Sequence, residues 1–362
     1  MADAIRVLIV DDSAVMRTLL QRKLELEGGI EVVATAAEVK EARALIKQHD
    51  PDVVTLDIEM PGMDGLSFLA KIMELRPTPV IIVSGATEKG AAATAKALQL
   101  GAVDCYAKSE LRQSLDHDDG GKLGRMVRNA AKVRMPQPKP RPSPARHKTS
   151  AISGRAATKP PTGAAPGAGS PSVIAIGSST GGVEALHSLL AGFPRDCPPT
   201  LIVQHINACF APAIAQSLDK SAAPQVVIAE ADMPAKRGQI MLAPGGETHL
   251  QLAGSEATGF RCALRPGDPV SGHRPSVDAL FASMADVAGD MALGILLTGM
   301  GRDGAEGLHK MALNGASTIA QDEESCVVFG MPRAAIALGA AREVLSLDAI
   351  AAHVFSSRKV PA

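Results

Sequence analysis

The stretch Val173-Ile174-Ala175-Ile176-Gly177-Ser178-Ser179-Thr180-Gly181-Gly182 narrows the choice of fold more than any other part of this chain. An apolar run of strand length enters a glycine turn, and a helical pattern (Val183, Ala185, Leu186, Leu189, Leu190) begins at once. Strand, tight turn and helix in succession form the repeating unit of a parallel α/β sheet. The turn reads Gly-x-Ser-x-Gly with Ser179 at its centre. Small residues on both sides let the backbone bend far enough to lift one hydroxyl above the sheet edge, as in a nucleophile elbow. Ser178 falls out of that register, so Ser179 is the candidate nucleophile. The helix behind it would aim its first N–H groups at the site, which suits an oxyanion or a bound anion. A phosphate cradle is the competing use of such a turn, but the P-loop lysine and the G-x-G-x-x-G pattern are missing.

At 362 residues the chain has room for two domains with their own cores. Only 2% of residues are aromatic and none is Trp, which argues against base-stacking recognition of single-stranded nucleic acid. The longest apolar runs are strand length, short of the roughly 20 residues of a membrane span. Residues 1–5 lack the pattern of an export signal. Cys105, Cys197, Cys209, Cys262 and Cys326 are odd in number, scattered and without zinc-site spacing, so reduced thiols and a cytoplasmic location are expected.

Residues 5–10 form an apolar run ending on Asp11-Asp12, and Ser13 is placed to cap a helix bearing Val15, Met16, Leu19 and Leu20 on one face. Strand and helix patterns then alternate: 30–34, 39–48, 53–57, a Pro61-Gly62 and Asp64-Gly65 turn, a helix to about 75, then 79–84, 88–100 and 103–107. This predicts a doubly wound parallel sheet with its site at the strand C-terminal ends. Asp11, Asp12 and Asp57 would converge there, and like charges repel unless a cation separates them. Oxygen-only ligands suit Mg²⁺. Asp57 would remain free to attack a phosphoryl group, with Lys108 and the Ser84 hydroxyl placed to hold its oxygens.

Asp11, Asp12, Asp57, Ser84 and Lys108, with Met60-Pro61-Gly62-Met63-Asp64-Gly65, resemble the receiver domain of two-component response regulators over about residues 4–133. The resemblance implies that Asp57 accepts a phosphoryl group from a histidine kinase. It also implies that Asp11, Asp12, Asp57 and the carbonyl of Glu59 hold Mg²⁺. Two positions depart from the family: Ser109 follows Lys108 where Pro is usual, and Cys105 stands where an aromatic switch residue is often found, with Tyr106 one place later. These departures are expected to weaken or reroute the outgoing signal.

Residues 120–171 carry eleven Lys/Arg and no Asp/Glu, which leaves the rest of a chain of net charge −1 at about −12. The reading is a receiver ending near 134, a flexible Pro/Gly/Ala-rich basic linker over 135–171, and a second domain from 172 to 362.

In the second domain strands are expected at 201–204, 226–229 and 293–298, with 238–243 pairing 248–252 across Pro244-Gly245-Gly246. A serine needs a base, and the base needs an orienting group. His205 ends one strand, and Asp303 lies in the turn Gly299-Met300-Gly301-Arg302-Asp303-Gly304 after another, both at the edge expected for Ser179. His187 and His309 fall in helical patterns pointing away, whereas His249 and His273 lie in less regular stretches, and His273 with Arg274 could line the site.

Gly177–Gly182, Gln204-His205, His273-Arg274-Pro275-Ser276-Val277-Asp278, Leu297–Gly304 and Ala320–Pro332 together resemble the chemotaxis protein-glutamate methylesterase family, CheB, across the second domain. The order receiver then esterase also matches. The resemblance implies a triad of Ser179, His205 and Asp303. The backbone N–H groups of Thr180 and Met300 would form the oxyanion hole, and esterase chemistry would need no cofactor. It implies hydrolysis of glutamate methyl esters and deamidation of glutamines on methyl-accepting chemotaxis receptors, with a chemotaxis histidine kinase as phosphodonor. The unphosphorylated receiver would cover the active-site face. Membrane proximity would come through the receptors only. The rival reading is a non-enzymatic response regulator with a binding or scaffold output domain. A nucleic-acid partner is disfavoured because the chain is acidic outside the linker.

Overall fold

The computed structural model describes residues 4–60, 65–85, 87–113, 121–133, 135 and 171–356. The expected turn residues Pro61, Gly62 and Asp64, and the basic stretch 136–170, lie outside the described residues.

In the first half, β1 (Ile5–Val10), α1 (Ala14–Glu25), β2 (Ile30–Ala36), α2 (Val39–His49), β3 (Val53–Leu56), α3 (Gly65–Leu75), β4 (Val80–Ser84), α4 (Glu88–Gln99) and β5 (Asp104–Ala107) alternate along the chain. α5 (Lys108–Gln113) and α6 (Lys122–Ala130) follow. The strands pair in parallel in the order β2-β1-β3-β4-β5. Val7 to Val10 are all buried, as a strand covered by helices on both faces requires. Ser13 caps α1, its Oγ accepting the Met16 N–H. Because the order reverses at β1, the ends of β1 and β3 lie side by side and bring Asp11, Asp12 and Asp57 to one crevice.

The second half runs β6 (Val173–Ser178), α7 (Gly182–Ala191), β7 (Thr200–Gln204), α8 (Ala211–Ser221), β8 (Gln225–Ile228), β9 (Gln239–Leu242), β10 (Thr248–Ser255) and β11 (Gly259–Pro266). It continues with α9 (Val277–Val287), β12 (Ala292–Leu296), α10 (Ala305–Leu313), β13 (Ser317–Gln321), α11 (Met331–Ala337), β14 (Glu343–Leu345) and α12 (Leu347–Ser356). Seven parallel strands lie in the order β14-β13-β12-β6-β7-β9-β8. The expected pairing of 238–243 with 248–252 does not occur. β9 pairs in parallel with β7 and β8, while β10 forms an antiparallel hairpin with β11. The reason is burial: Ile240, Met241 and Leu242 are all buried and belong inside a parallel sheet, whereas β10 is only half-buried and lays Leu250 and Leu252 against α9.

β6 sits where this second sheet reverses, with β7 on one side and β12 on the other. The C-terminal ends of β12, β6 and β7 therefore share one crevice. α4 of the first half packs on α7 and α8 of the second, and Leu98 joins Leu186 and Ile214 in one buried cluster. Among the described residues no helix is long and apolar enough to cross a membrane.

Candidate functional site

Each of the three adjacent strand ends delivers one polar residue. Ser179 follows β6, His205 follows β7 and Asp303 lies in the turn after β12. The turn after β6 is pinned on several sides. The Ser179 N–H donates to the Thr298 carbonyl at 3.1 Å, and the Ser179 carbonyl accepts from Gly182 N–H and Gln204 Nε2, both at 2.8 Å. Gly181 takes φ +74°, the left-handed conformation that spares a Cβ. Gly299 must also lack a side chain, since a Cβ there would stand 2.8 Å from Ser179 Cβ. Ser178 is fully buried and donates to Gln204 Oε1 at 2.7 Å, so only Ser179 presents a hydroxyl at the edge.

His205 Nε2 lies 2.7 Å from Asp303 Oδ2. Its Nδ1 is buried without a hydrogen-bond partner, and among the described residues Ser179 Oγ has none either. The two residues line one crevice. The His205 ring stacks on that of His273 with centroids 3.9 Å apart and planes 2° from parallel. Among the described residues, neither the Thr180 N–H nor the Met300 N–H donates to an acceptor, which leaves both available for a developing oxyanion.

Asp303 is fully buried and accepts four hydrogen bonds. Oδ2 takes His205 Nε2 and the Val277 N–H at 2.8 Å, and Oδ1 takes Ser276 Oγ at 2.7 Å and the Asp278 N–H at 3.0 Å. Burial alone would raise its pKa, but the bond and charge of His205, with the donors at the start of α9, bring it down to about 2. The carboxylate is thus ionised and fixed, and it holds the Nε2 proton so that Nδ1 is the nitrogen left to act as base. Burial and the neighbouring His205 push the pKa of His273 down, favouring its neutral form.

His249 and His187 have structural partners, whereas His309 on α10 keeps a buried Nδ1 without one among the described residues. His249 Nε2 donates to the Asp268 carbonyl at 2.9 Å while its Nδ1 accepts the Ser276 N–H at 3.1 Å. His187 does not lie on an outer helix face as expected: α8 covers it, and it bonds Ser221 and Ser217. Ser276 was not singled out by the sequence reading. A Ser immediately before the apolar pattern starting at Val277 is an N-cap signal, and that could have drawn attention to it.

In the first half, Lys108 Nζ lies 2.6 Å from Asp57 Oδ2 and 2.9 Å from Asp11 Oδ2, the latter without hydrogen-bond geometry. Burial raises the pKa of Asp57 against the bond from Lys108, and Lys108 is itself raised, its burial outweighed by Asp57 and Asp11. Carboxylate oxygens of Asp11, Asp12 and Asp57 lie within 4.8 Å of one another. Three carboxylates facing one ammonium leave excess negative charge and only hard oxygen donors, a set that fits Mg²⁺. Ser84 Oγ donates to Glu59 Oε2 at 3.3 Å, and the Glu59 carboxylate also accepts Gly85 N–H at 2.9 Å and Thr87 Oγ at 3.1 Å. Cys105 and Tyr106 face opposite sides of β5, Cys105 toward α4 and Tyr106 into the cluster with Leu111 and Leu123. Tyr106 therefore does not stand in for the aromatic residue missing at position 105.

The two halves meet through direct contacts. Val103 O accepts the Gly181 N–H at 3.3 Å, and Glu110, paired with Lys122 at 2.7 Å, accepts from Asn207 Nδ2. Asp104 lines the same crevice as Ser179 and His205. Burial pushes the Asp104 carboxyl up to about 6, a shift that the Cys105 N–H, Lys122 and His205 oppose. About 10 Å³ remains in that crevice, room for one water.

Comparison with known proteins gives the family of each half. Residues 7–117 match the response regulator receiver domain and residues 174–354 match CheB methylesterase. The chain is 49% identical over 346 residues to protein-glutamate methylesterase/protein-glutamine glutaminase 1 of Caulobacter vibrioides, covering 96% of each chain. It is 48% identical to the Agrobacterium fabrum protein-glutamate methylesterase/protein-glutamine glutaminase, covering 96% of this chain and 95% of that one. The solved CheB methylesterase catalytic domain of Thermotoga maritima superposes with a TM-score of 0.50 at 33% identity, covering 52% of this chain and 99% of that one. With a receiver ahead of the esterase and near-complete alignment to these relatives, the chain belongs to the CheB family of protein-glutamate methylesterases/protein-glutamine glutaminases.

Proposed function

We propose that this chain is a phosphorylation-controlled esterase acting on methyl-accepting chemotaxis receptors. It hydrolyses glutamate methyl esters to glutamate and methanol, and deamidates particular glutamines to glutamate and ammonia. The observation that carries the reading is the 2.7 Å bond from His205 to Asp303 beside Ser179, with Ser179 Oγ and His205 Nδ1 both unpartnered among the described residues. Ser179 Oγ attacks the ester carbonyl carbon as its proton passes to His205 Nδ1, and the N–H groups of Thr180 and Met300 receive the oxyanion. Collapse breaks the bond to the methoxy group, which takes the proton from Nδ1 and leaves as methanol. Water then attacks the acyl-serine, gives a proton to Nδ1, and Ser179 departs with that proton, releasing glutamate. In deamidation the first leaving group is ammonia.

The receiver, residues 1–134, gates this chemistry, tethered by a linker at 135–171 to the catalytic domain at 172–362. Val103 and Asp104 of the receiver line the crevice together with Ser179 and His205, so the receiver is placed to limit access to the nucleophile. A chemotaxis histidine kinase phosphorylates Asp57, turning its carboxylate into an acyl phosphate and so adding about one negative charge beside Lys108. Asp11, Asp12, Asp57 and the Glu59 carbonyl would hold Mg²⁺, which when bound offsets the charge of the phosphoryl oxygens. Lys108 is already on Asp57, whereas Ser84 must leave Glu59 to reach a phosphoryl group. The protein works in the cytoplasm, beside the membrane only through its receptors, and takes no nucleic acid.

The test is methanol release from methyl-labelled receptor membranes with Mg²⁺ and a small-molecule phosphodonor. Ser179→Ala should lower the rate by about four to six orders of magnitude if the three residues act as a unit. A variant within tenfold of the parent would point to another nucleophile.

A further inference from the structure

We propose that Ser276 is a positioning residue whose hydroxyl orients Asp303, and through it the imidazole of His205, with His249 holding the serine in place. The inference rests on the Ser179, His205 and Asp303 reading above. Ser276 is fully buried at the N-cap of α9. Its Oγ accepts the Ala279 N–H at 3.3 Å, so the hydroxyl proton is free to point elsewhere, and Asp303 Oδ1 stands 2.7 Å away. The Ser276 N–H in turn donates to His249 Nδ1, and the other ring nitrogen of His249 donates to the Asp268 carbonyl. That pair of bonds fixes His249 as the neutral Nε2–H tautomer, because a proton on Nδ1 would face the Ser276 N–H. Ser276 is thus held through both its backbone and its side chain, and its O–H has one direction.

The chemical consequence concerns the two oxygens of Asp303. Oδ1 takes the Ser276 hydroxyl and the Asp278 N–H, and Oδ2 takes the Val277 N–H and His205 Nε2. Withdrawing the hydroxyl leaves more negative charge to act on the Nε2 proton and loosens the carboxylate about its Cβ–Cγ bond. The imidazolium becomes easier to form and the ring less firmly aimed at Ser179. Turnover would then fall, and the acid limb of the rate profile would move to higher pH. The other charged or titratable groups bearing on His205 and Asp303 are Asp278 on α9, His273 in the loop before it and Asp104 at the start of β5. Arg125 on α6 reaches His273. Of these, Asp278 feels the Asp303 charge directly and would respond together with it.

The experiment uses the full chain with Mg²⁺ and phosphodonor and follows methanol release across pH 5.5–9 for Ser276→Ala, Ser276→Gly and Ser276→Thr. Glycine removes the hydroxyl at smaller cost to the helix cap than alanine, so it keeps the test open should Ser276→Ala not fold. Removing the hydroxyl should lower kcat by about tenfold to a hundredfold with KM little changed. It should also raise the acid limb of the rate profile by about half to one pH unit. Ser276→Thr should restore that limb and most of the rate. A folded Ser276→Ala or Ser276→Gly with the parent's kcat and acid limb overturns the proposal, as does a Ser276→Thr no better than Ser276→Ala. Ser179→Ala and Asp303→Asn run alongside: retained activity in those strikes the triad itself, whereas their loss beside a parent-like Ser276→Gly strikes only the role of Ser276.

Discussion

Asp303→Asn is the change whose cost the structure defines most fully. The carboxylate accepts two donors on each oxygen, and every one of them is held in place by a strand end or by the first turn of α9. An amide offers one oxygen and one NH₂. If the NH₂ replaces Oδ2 it opposes the Val277 N–H and makes His205 present a lone pair at Nε2, which moves the ring proton to Nδ1 and disables the base. If it replaces Oδ1 it opposes the Asp278 N–H instead. Either way one buried N–H is orphaned, costing about 1–3 kcal/mol of stability. The wrong tautomer or a tilted ring should lower kcat by about 10⁴-fold, equivalent to about 5.5 kcal/mol of barrier. Acid titration gives a second readout. Asp303 falls from the ordinary 3.8 to about 2, so its ionisation contributes about 2 kcal/mol. Because the folded pKa is the lower one, that contribution is complete above about pH 4 and is lost as pH drops toward 2. Methanol release together with urea unfolding at pH 7 and across pH 2–4 measures all three quantities. A variant that retains a tenth or more of the parent rate would refute the role given to the carboxylate, whatever its stability.

Three further outcomes test the surroundings of the site. Asn207→Asp removes the donor to Glu110 and sets two carboxylates together, so the unphosphorylated rate should rise about tenfold for each 1.4 kcal/mol of docking lost, while the phosphorylated rate stays put; an unchanged basal rate would separate this contact from inhibition. Asp104 has its pKa raised to about 6 by burial beside His205, so docking takes up a proton, is favoured at acid pH and weakens as pH climbs through 6; basal methanol release should therefore rise over pH 5–7 in the parent and stay flatter in Asp104→Asn. Gly299→Ala places a methyl 2.8 Å from Ser179 Cβ and into contact with Met331 Sδ, which should cost about 1–3 kcal/mol and lower turnover at least about tenfold by displacing the nucleophile, as thermal melts and initial rates would record.

Strand ends were the legible part of this molecule. Periodicity fixed where apolar runs stop, and in a parallel sheet the residue after the stop is already at the crevice, which is why Ser179, His205 and Asp303 could be placed together from spacing and resemblance. Ser276 was hidden because its partner is 27 residues away, and only the meeting of the α9 N-terminus with the turn after β12 makes a helix cap into a support for Asp303. His187 misled for the opposite reason: a helical position reads as surface until a second helix, here α8, is known to cover it. The glycine turn at 244–246 suggested a hairpin, but a local turn signal carries no information about which strand needs a neighbour on both edges. Glu59 entered only through its carbonyl, whereas its side chain holds Ser84, Gly85 and Thr87, a use that depends on loop geometry between β3 and β4.

The contacts between the halves also bear on how large the inhibition can be. The receiver reaches the nucleophile turn through Val103 O on the Gly181 N–H, and the loop after His205 through Glu110 on Asn207. Glu110 shares the short helix α5 with Lys108, whose ammonium sits on Asp57. A charge added at Asp57 therefore acts on a lysine that is two residues from the Asn207 contact, with Ser109 between them in place of a proline. These two bonds contribute only about 0.5–1.5 kcal/mol each, so the apolar packing of α4 on α7 and α8 carries the larger part of the contact. Coupling between distant sites of about 1–3 kcal/mol suffices for a change of about 5–150-fold. The bonds that hold the triad together lie within the second half, so the contacts between the halves can change without breaking them.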